Sequence, residues 1–376
     1  MMRKILFIVL GVLVVVLVAT RVHIHVPAPG PKPAASPEAG PAAPAATESG
    51  PDDMKLLCVA AGGVYEVRQP EKGPATLTHA ARVGREGKPI ATAAAILSLA
   101  PDGKDILYLT EDQGPDSGQL WRARAGGAPQ SLAQGLRSPQ GLLATGDHLY
   151  WTETRPSPAP GLACVPVLQP LSLVYAANPD GQGRKLLAVS ESAEAHFPGK
   201  FLGERQGQVY WLQHFGQQYS RPLTTIWRAP VQGGAAEQMV RTEGAQDAVL
   251  AARTLYWTAP SEEMSPPLAG RTVRAMGLNG KATRTLTDWM SPDCRLVLAG
   301  RGLYCCDHSH VWRIPARLGE ARPVAKPNLD PARLADYRGA VYGMTTGEKG
   351  NRLARVPLTW GGEVARVVRA VGCRAA

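Results

Sequence analysis

No long stretch of this sequence is free of Gly and Pro, which excludes coiled coils and long-helix bundles. Nowhere do five or more Lys or Arg run together, so the +10 net charge is not concentrated into a nucleic-acid-binding arm. Of the 41 basic residues 30 are Arg, a bias that fits the GC-rich genome of a bacterium better than a binding duty. The motifs of common catalytic machines are missing too: there is no C-x-x-C, H-E-x-x-H, G-x-S-x-G or Walker A loop. GQGR at 181–184 lacks the third Gly and the strand-to-helix setting of a dinucleotide site. The sequence therefore assigns no catalytic, cofactor-binding or metal residue, and an enzyme is the lesser expectation.

What the chain has in excess is Gly and Pro themselves, 40 and 33 of 376 residues. That is about a fifth, against roughly 12% in average usage. From Asp52 onward 36 Gly and 25 Pro remain, so the excess belongs to the folded part, as the punctuation of a turn-rich all-β domain. A hydrophobic content of 44% supplies a core without a cofactor.

The N-terminus sets an expected location. Arg3 and Lys4 precede the uncharged apolar run Ile5–Thr20, and Arg21 closes it. Sixteen helical residues span about 24 Å, short of the roughly 30 Å hydrocarbon layer unless Lys4 and Arg21 snorkel. Residues 1–22 read as a retained membrane anchor or a cleaved secretory signal, with Leu17-Val18-Ala19 as a tolerable cleavage site. The first cysteine is Cys58, which argues against a lipoprotein. Residues 23–53 hold the Pro/Ala-rich stretch Pro27–Pro51, a disordered, semi-rigid spacer. Either reading places residues 54–376 outside the cytoplasm. The expectation is a single-pass inner-membrane protein contacting the membrane through residues 5–20, or a secreted or periplasmic one after cleavage.

A repeat fills the rest. A short apolar-aromatic strand recurs as LLCVA (56–60), ILYLT (106–110), LYWTE (149–153), VYWLQ (209–213), LYWTA (255–259), LYCCD (303–307) and VYGMT (341–345). A second strand follows each and runs into a Gly turn, as in LWRARAGG (120–127) or VWRIPARLG (311–319); in the third module LACVP (162–166) and LVYAANPDGQG (173–183) compete for that role. An apolar strand precedes most modules, among them AILSLA (95–100) and, more weakly, GKFLGE (199–204). Seven modules of this length predict a β-propeller of four-stranded blades, with six blades as the alternative. On this frame the first blade, starting at Lys55, lacks its innermost strand, and the tail after Gly362 supplies an outer strand of its own.

LAPDGKDILYLTED at 99–112 resembles the blade motif of TolB-type propellers, and LYWT at 149–152 and 255–258 resembles the YWTD repeat of low-density-lipoprotein-receptor propellers. The chain departs from the YWTD pattern at its acidic position, with Glu153, Gln213, Ala259 and Asp307 there. The TolB-like resemblance implies docking of a partner on one ring face. The expected function is a tethered module binding an envelope protein or a small molecule, without nucleic acid. The alternative is a propeller enzyme, such as a metal-dependent lactonase or hydrolase, with Asp102, Asp247 and Asp293 converging on the central channel.

Cysteine and histidine positions add pairing candidates. AGRG at 299–302 reads as a hairpin turn that brings the strand of Cys294 beside that of Cys305 and Cys306. Strand alternation lets only one of those two face Cys294, Cys305 in one register and Cys306 after a one-residue slip. A link from Cys58 to Cys373 would join first and last blades. His308 and His310 read as a solvated loop rather than a metal pair. The acidic loop at 111–118 reads as turn chemistry rather than a calcium loop. Trp121, Trp227 and Trp312 read as packing between blades, and His148, His196 and His214 as scattered.

Overall fold

In the computed structural model, residues 54–369 are described apart from 84, 86, 113, 115, 159–167, 191–199, 216–222, 262–269, 300–301, 327–328, 338–339, 346–351 and 359–367. The apolar run at 5–20, the spacer, His23, His25, Cys164, His196 and Cys373 lie outside the described residues. The described residues form 28 strands in seven antiparallel sheets of four, each sheet built from four consecutive strands.

Blade 1 is β1 (Met54–Ala60), β2 (Gly63–Arg68), β3 (Ala75–Ala80) and β4 (Lys88–Ala93). Blade 2 is β5 (Ala95–Asp102), β6 (Asp105–Glu111), β7 (Gly118–Ala123) and β8 (Gln130–Leu136). Blade 3 is β9 (Pro139–Ala144), β10 (Leu149–Pro158), β11 (Leu168–Ala177) and β12 (Lys185–Ser190). Blade 4 is β13 (Lys200–Arg205), β14 (Gln208–Phe215), β15 (Leu223–Pro230) and β16 (Glu237–Glu243). Blade 5 is β17 (Ala248–Leu250), β18 (Thr254–Pro260), β19 (Arg271–Gly277) and β20 (Arg284–Met290). Blade 6 is β21 (Arg295–Ala299), β22 (Gly302–Cys306), β23 (Val311–Ile314) and β24 (Arg322–Ala325). Blade 7 is β25 (Leu329–Tyr337), β26 (Ala340–Thr345), β27 (Arg352–Pro357) and β28 (Val368–Arg369).

The first strands pack on one another around the ring, and β1 lies against β25, so the ring closes with seven blades. The six-blade alternative is excluded. The frame of the first module is corrected as well: Leu56–Ala60 belongs to an innermost strand, and Val64-Tyr65 occupies the place of the recurring aromatic strand. The slip arises because both β1 and β2 are apolar and only a two-residue turn separates them. A Cβ on Gly62 in that turn would lie 2.5 Å from Lys104 O of the next blade, so only Gly fits there. In the third module LVYAA is the paired strand, and LACVP lies outside the described residues.

Strand alternation in the aromatic strand makes each blade two-faced. Tyr150 and Tyr210 pack toward the following blade, whereas Trp151 and Trp211 pack toward the preceding one. The result is one hydrophobic cluster per blade interface, seven in all, instead of a central core. In all seven blades the second and third strands pair without a register shift. Bulges fall on the flanking pairs, where they add the twist that lets blades stack face to face.

Candidate functional site

The up-down order of every blade gives the ring two unlike rims. One holds the tight hairpins between first and second strands, such as Gln206-Gly207, both at positive φ (55° and 69°) as a primed turn requires, together with the connections of six to ten residues between third and fourth strands. The other, where the first strands start, holds the blade-to-blade connectors and the longer loops between second and third strands. These connections are longest in blades 3 to 5, at 159–167, 191–199, 216–222 and 261–270.

Asp247 organises this strand-start rim. It is buried in the connector 244–247 before β17, and three blades contribute to its partners. Lys200 Nζ of blade 4 donates to Oδ1 at 2.6 Å, Ala248 N donates to Oδ1 at 3.0 Å, and Leu296 N of blade 6 donates to Oδ2 at 2.8 Å. Lys200 remains half exposed beside it. Arg295, at the start of β21, donates to Gln246 O at 3.3 Å. Arg271 donates from Nε to Pro292 O at 2.7 Å and from Nη1 to Gly244 O, fastening one connector to the next. Burial lowers the Arg271 pKa to about 10, opposed by Asp293 and reinforced by Arg295.

His214 lies above this group. On β14 it shares a face with Leu212, turned to blade 5. Thr224 gives its only hydroxyl hydrogen to Ala245 O (2.7 Å), so the 3.0 Å contact between His214 Nδ1 and Thr224 Oγ1 must be a donation by the imidazole. That fixes the proton on Nδ1 and leaves Nε2 as an acceptor. Burial lowers the His214 pKa; Arg295 and Lys200 add to this and Asp247 opposes it. The imidazole is thus neutral in a cationic setting.

The acidic positions of the aromatic strands have divided roles. Glu153, fully buried, accepts from Trp151 Nε1 (2.9 Å), Arg137 N (3.2 Å) and Arg184 Nη2. The Arg184 guanidinium also lies 4.3 Å from the Tyr175 ring centroid. Asp307 accepts the N–H groups of Ser309 (2.8 Å) and His310 (2.7 Å) and Trp312 Nε1 (2.8 Å), closing the loop before β23. Burial works against the Asp307 charge, but these donors, Trp312 foremost, hold its pKa below the usual carboxylate range. In blade 5 the same position is Ala259, and the buried Trp257 Nε1 has no partner among the described residues.

Not all the residues singled out by sequence meet here. Asp247 does. Asp293 is exposed nearby, with His308 Nε2 3.8 Å away. Asp102 does not: it ends β5 rather than starting it, pairs with Arg122 (2.8 Å), and belongs to the opposite rim. The structure bridges Cys294 to Cys305, with Cα atoms 5.6 Å apart. Cys306 is turned to the other face of blade 6, and Cys58 is buried between blades 1 and 2. His310 Nδ1 contacts Ser309 Oγ at 2.7 Å, and among the described residues no three His, Cys, Asp or Glu side chains converge as metal ligands. The loop at 111–118 is tied by Ser117 Oγ to Asp112 O and Gly114 O. Trp121, Trp227 and Trp312 pack between blades. His148 joins Tyr150 and Thr145 on Glu204 Oε2 of blade 4, at the hairpin rim. Sequence reasoning missed Lys200, Thr224, Gln246, Arg271 and Arg295. Three of these start or precede first strands, so correct strand framing is the signal that finds them.

No protein-family model and no curated protein sequence matches the chain. Solved structures match its fold. The acylaminoacyl peptidase of Pyrococcus horikoshii aligns with a TM-score of 0.54 at 12% identity, over 83% of this chain and 51% of that one. The β-propeller domain of the Trilobed protease from Pyrococcus furiosus, which has an open velcro topology, aligns with a TM-score of 0.53 at 12% identity, over 86% of this chain and 99% of that one. TolB from Acinetobacter baumannii aligns with a TM-score of 0.35 at 12% identity, over 66% and 61%. The chain spans about half the length of the acylaminoacyl peptidase, and at these identities the likeness is one of fold.

Proposed function

We propose that the protein is a membrane-tethered, extracytoplasmic binding module that presents its strand-start rim to an envelope protein or a small-molecule ligand. Residues 1–22 anchor it or direct its export, residues 23–53 hold it off the membrane, and the propeller follows. The observation that carries the binding reading is the inequality of the rims. The turns between first and second strands close one tightly, whereas the other carries the polar group of Lys200, His214, Asp247 and Arg295 on connectors and strand starts from blades 4 to 6. Binding residues concentrate on loops held by a rigid scaffold, and this rim has that form.

A second reading, a hydrolase or a hydrolase-associated propeller, draws on the likeness to the propellers of two peptidases. One experiment separates the two. Full-length protein, expressed in a bacterial host and solubilised in detergent, is cross-linked to envelope extract and also assayed on a panel of lactones and esters. Recovery of a specific partner or ligand without turnover is the expected result. Turnover with no partner recovered reverses the choice. Membrane fractionation with N-terminal sequencing of the same preparation tests the tether: protein washed free at high pH with a processed N-terminus would replace the anchor by a cleaved signal.

A further inference from the structure

Blades 4 and 5 each carry a hollow at the hairpin rim, where the second strand starts, the third ends and the fourth starts. In blade 4 the charges of this hollow cancel, because Glu237 accepts from Arg228 Nε (3.0 Å) and Nη2 (2.7 Å). Strand pairing places Ala275 of blade 5 where blade 4 has Arg228, and Arg284 where it has Glu237. The carboxylate is thereby lost, and Lys281 adds a second cation to a blade 5 hollow of about 330 Å³. Thr254, Asn279, Lys281 and Arg284 line it with polar groups, and Met276 and Ala282 line it with carbon.

Lys281 and Arg284 are both exposed, and neither has an ion pair among the described residues. Asn279 Oδ1 accepts the Lys281 N–H at 3.0 Å, which leaves the two amide N–H donors of Asn279 for another group. Ala282, at φ 57°, holds the loop backbone in the left-handed region that a residue with a side chain seldom adopts, a strain that gathers at ligand sites. Exposed Arg205, Arg253, Arg317 and Arg322 carry the positive charge along the hairpin rim of blades 4 to 6. Of the described carboxylates on that arc, Glu204 is taken by Tyr150 and Glu237 by Arg228, which leaves Glu320.

We propose that the blade 5 hollow binds a phosphate monoester, its phosphate held by Lys281 and Arg284 and its carbon chain lying over Met276. Two uncompensated cations among further donors fit a group with close to two negative charges and three acceptor oxygens. A phosphate ester carries these at pH 7 and a carboxylate does not. The volume is at the lower end of small-molecule sites, roughly 300–1,000 Å³, and limits the bound part of the ester to a few carbons. A soluble ester and a phospholipid headgroup both present this group. The site lies on the rim opposite the Lys200–Asp247 group, so it does not rest on the binding-module reading, which stands whether or not phosphate binds.

The test uses the full-length protein in phosphatidylcholine nanodiscs, titrated by calorimetry. Glycerol 3-phosphate is expected to bind, and glycerol to give no heat. K281A should weaken glycerol 3-phosphate binding about tenfold, as expected for losing a hydrogen bond between charged groups, and R284E, which installs the blade 4 residue, by at least as much. Both positions are exposed, so the variants keep the fold, and unchanged melting temperatures check this. K104A removes an exposed cation of the same rim in blade 2 and should leave the affinity within about twofold. In a second arm the nanodiscs are floated with vesicles of phosphatidylcholine and phosphatidic acid. Flotation that R284E abolishes assigns the phosphate to a lipid headgroup; flotation equal in wild type and R284E, beside glycerol 3-phosphate binding, assigns it to a soluble ester. The proposal is overturned if glycerol 3-phosphate gives no heat, or if K281A and R284E bind it as the wild type does. It is overturned too if K104A weakens binding as much as K281A, which would reduce the attraction to the charge of the rim at large.

Discussion

At the scale of single residues, the rim is held by buried charge, and each charged group makes a separate claim on stability. Asp247 joins blades 4, 5 and 6 through one carboxylate, so D247N leaves Lys200 and two backbone N–H groups poorly matched. Its expected cost is about 2–3 kcal/mol, read as a lower urea midpoint with an unchanged slope. The pH response follows from depressed pKa values at His214, Asp307 and Asp105, the last held down by its hydrogen bonds from Arg124. His214 titrates below its ordinary value in the fold, so on acidification the unfolded chain takes up a proton before the native one does. Stability from this group is full above pH about 6.5 and falls as pH drops through that value toward the native pKa. Asp307 is likewise depressed, so its contribution is present above its ordinary carboxylate pKa and is lost at lower pH. Melting temperatures measured from pH 8 to pH 3 should decline in two stages. H214Q should flatten the first stage, and D307N and D105N should each reduce the second; a variant that leaves its stage intact would show that the group is not a source of it.

At the scale of elements, the hairpin of blade 6 invites a direct test, because β21 and β22 are short and the bridge from Cys294 to Cys305 spans 11 positions. Closing a loop of that length stabilises by about 3 kcal/mol in the chain-entropy account. C305S or reduction is expected to lower the melting temperature by several degrees, and peptide mapping without reductant should recover the 294–305 pair. Recovery of Cys294 joined to Cys306 would place the hairpin one residue out of register. Much at this scale was legible in the sequence, for a physical reason. The alternation Leu-Tyr-Trp-Thr at 149–152 and 255–258 marks a strand with two buried faces, and Gly turns bound it. What escaped was framing where both strands of a hairpin are apolar, as at 56–67, since periodicity alone does not say which lies innermost. The rim residues escaped for a related reason. Lys200, Arg271 and Arg295 are unremarkable in composition and converge only because connectors from three blades meet at one place. Asp102 was misplaced by the same ambiguity, since the two ends of a strand look alike until the turn between them is assigned.

At the scale of the whole molecule, the closure of the ring sets where the protein opens first. Every blade is built from consecutive strands, so blades 1 and 7 share no sheet. Among the described residues, side chains join them: Val59 and Val64 against Ala340 and Tyr342, flanked by Leu57, Val83, Ala335 and Leu353. The two blades are neighbours in the ring but not in sequence, so no chain connector ties this interface as connectors tie the other six. The interface between blades 4 and 5 is the opposite case, with Tyr210, Leu212, Trp257 and Met276 in one cluster and Asp247 linking it to blade 6. Local stability follows buried contact, and the weakest interface of a repeat ring is where sub-global opening begins. Hydrogen exchange followed by mass spectrometry should therefore show β1–β2 and β25–β26 losing protection before β13–β20. Y342A should widen that gap without altering exchange in blades 4 and 5. Uniform exchange across all seven blades would mean that the ring opens as one cooperative unit, with closure no weaker than any other interface.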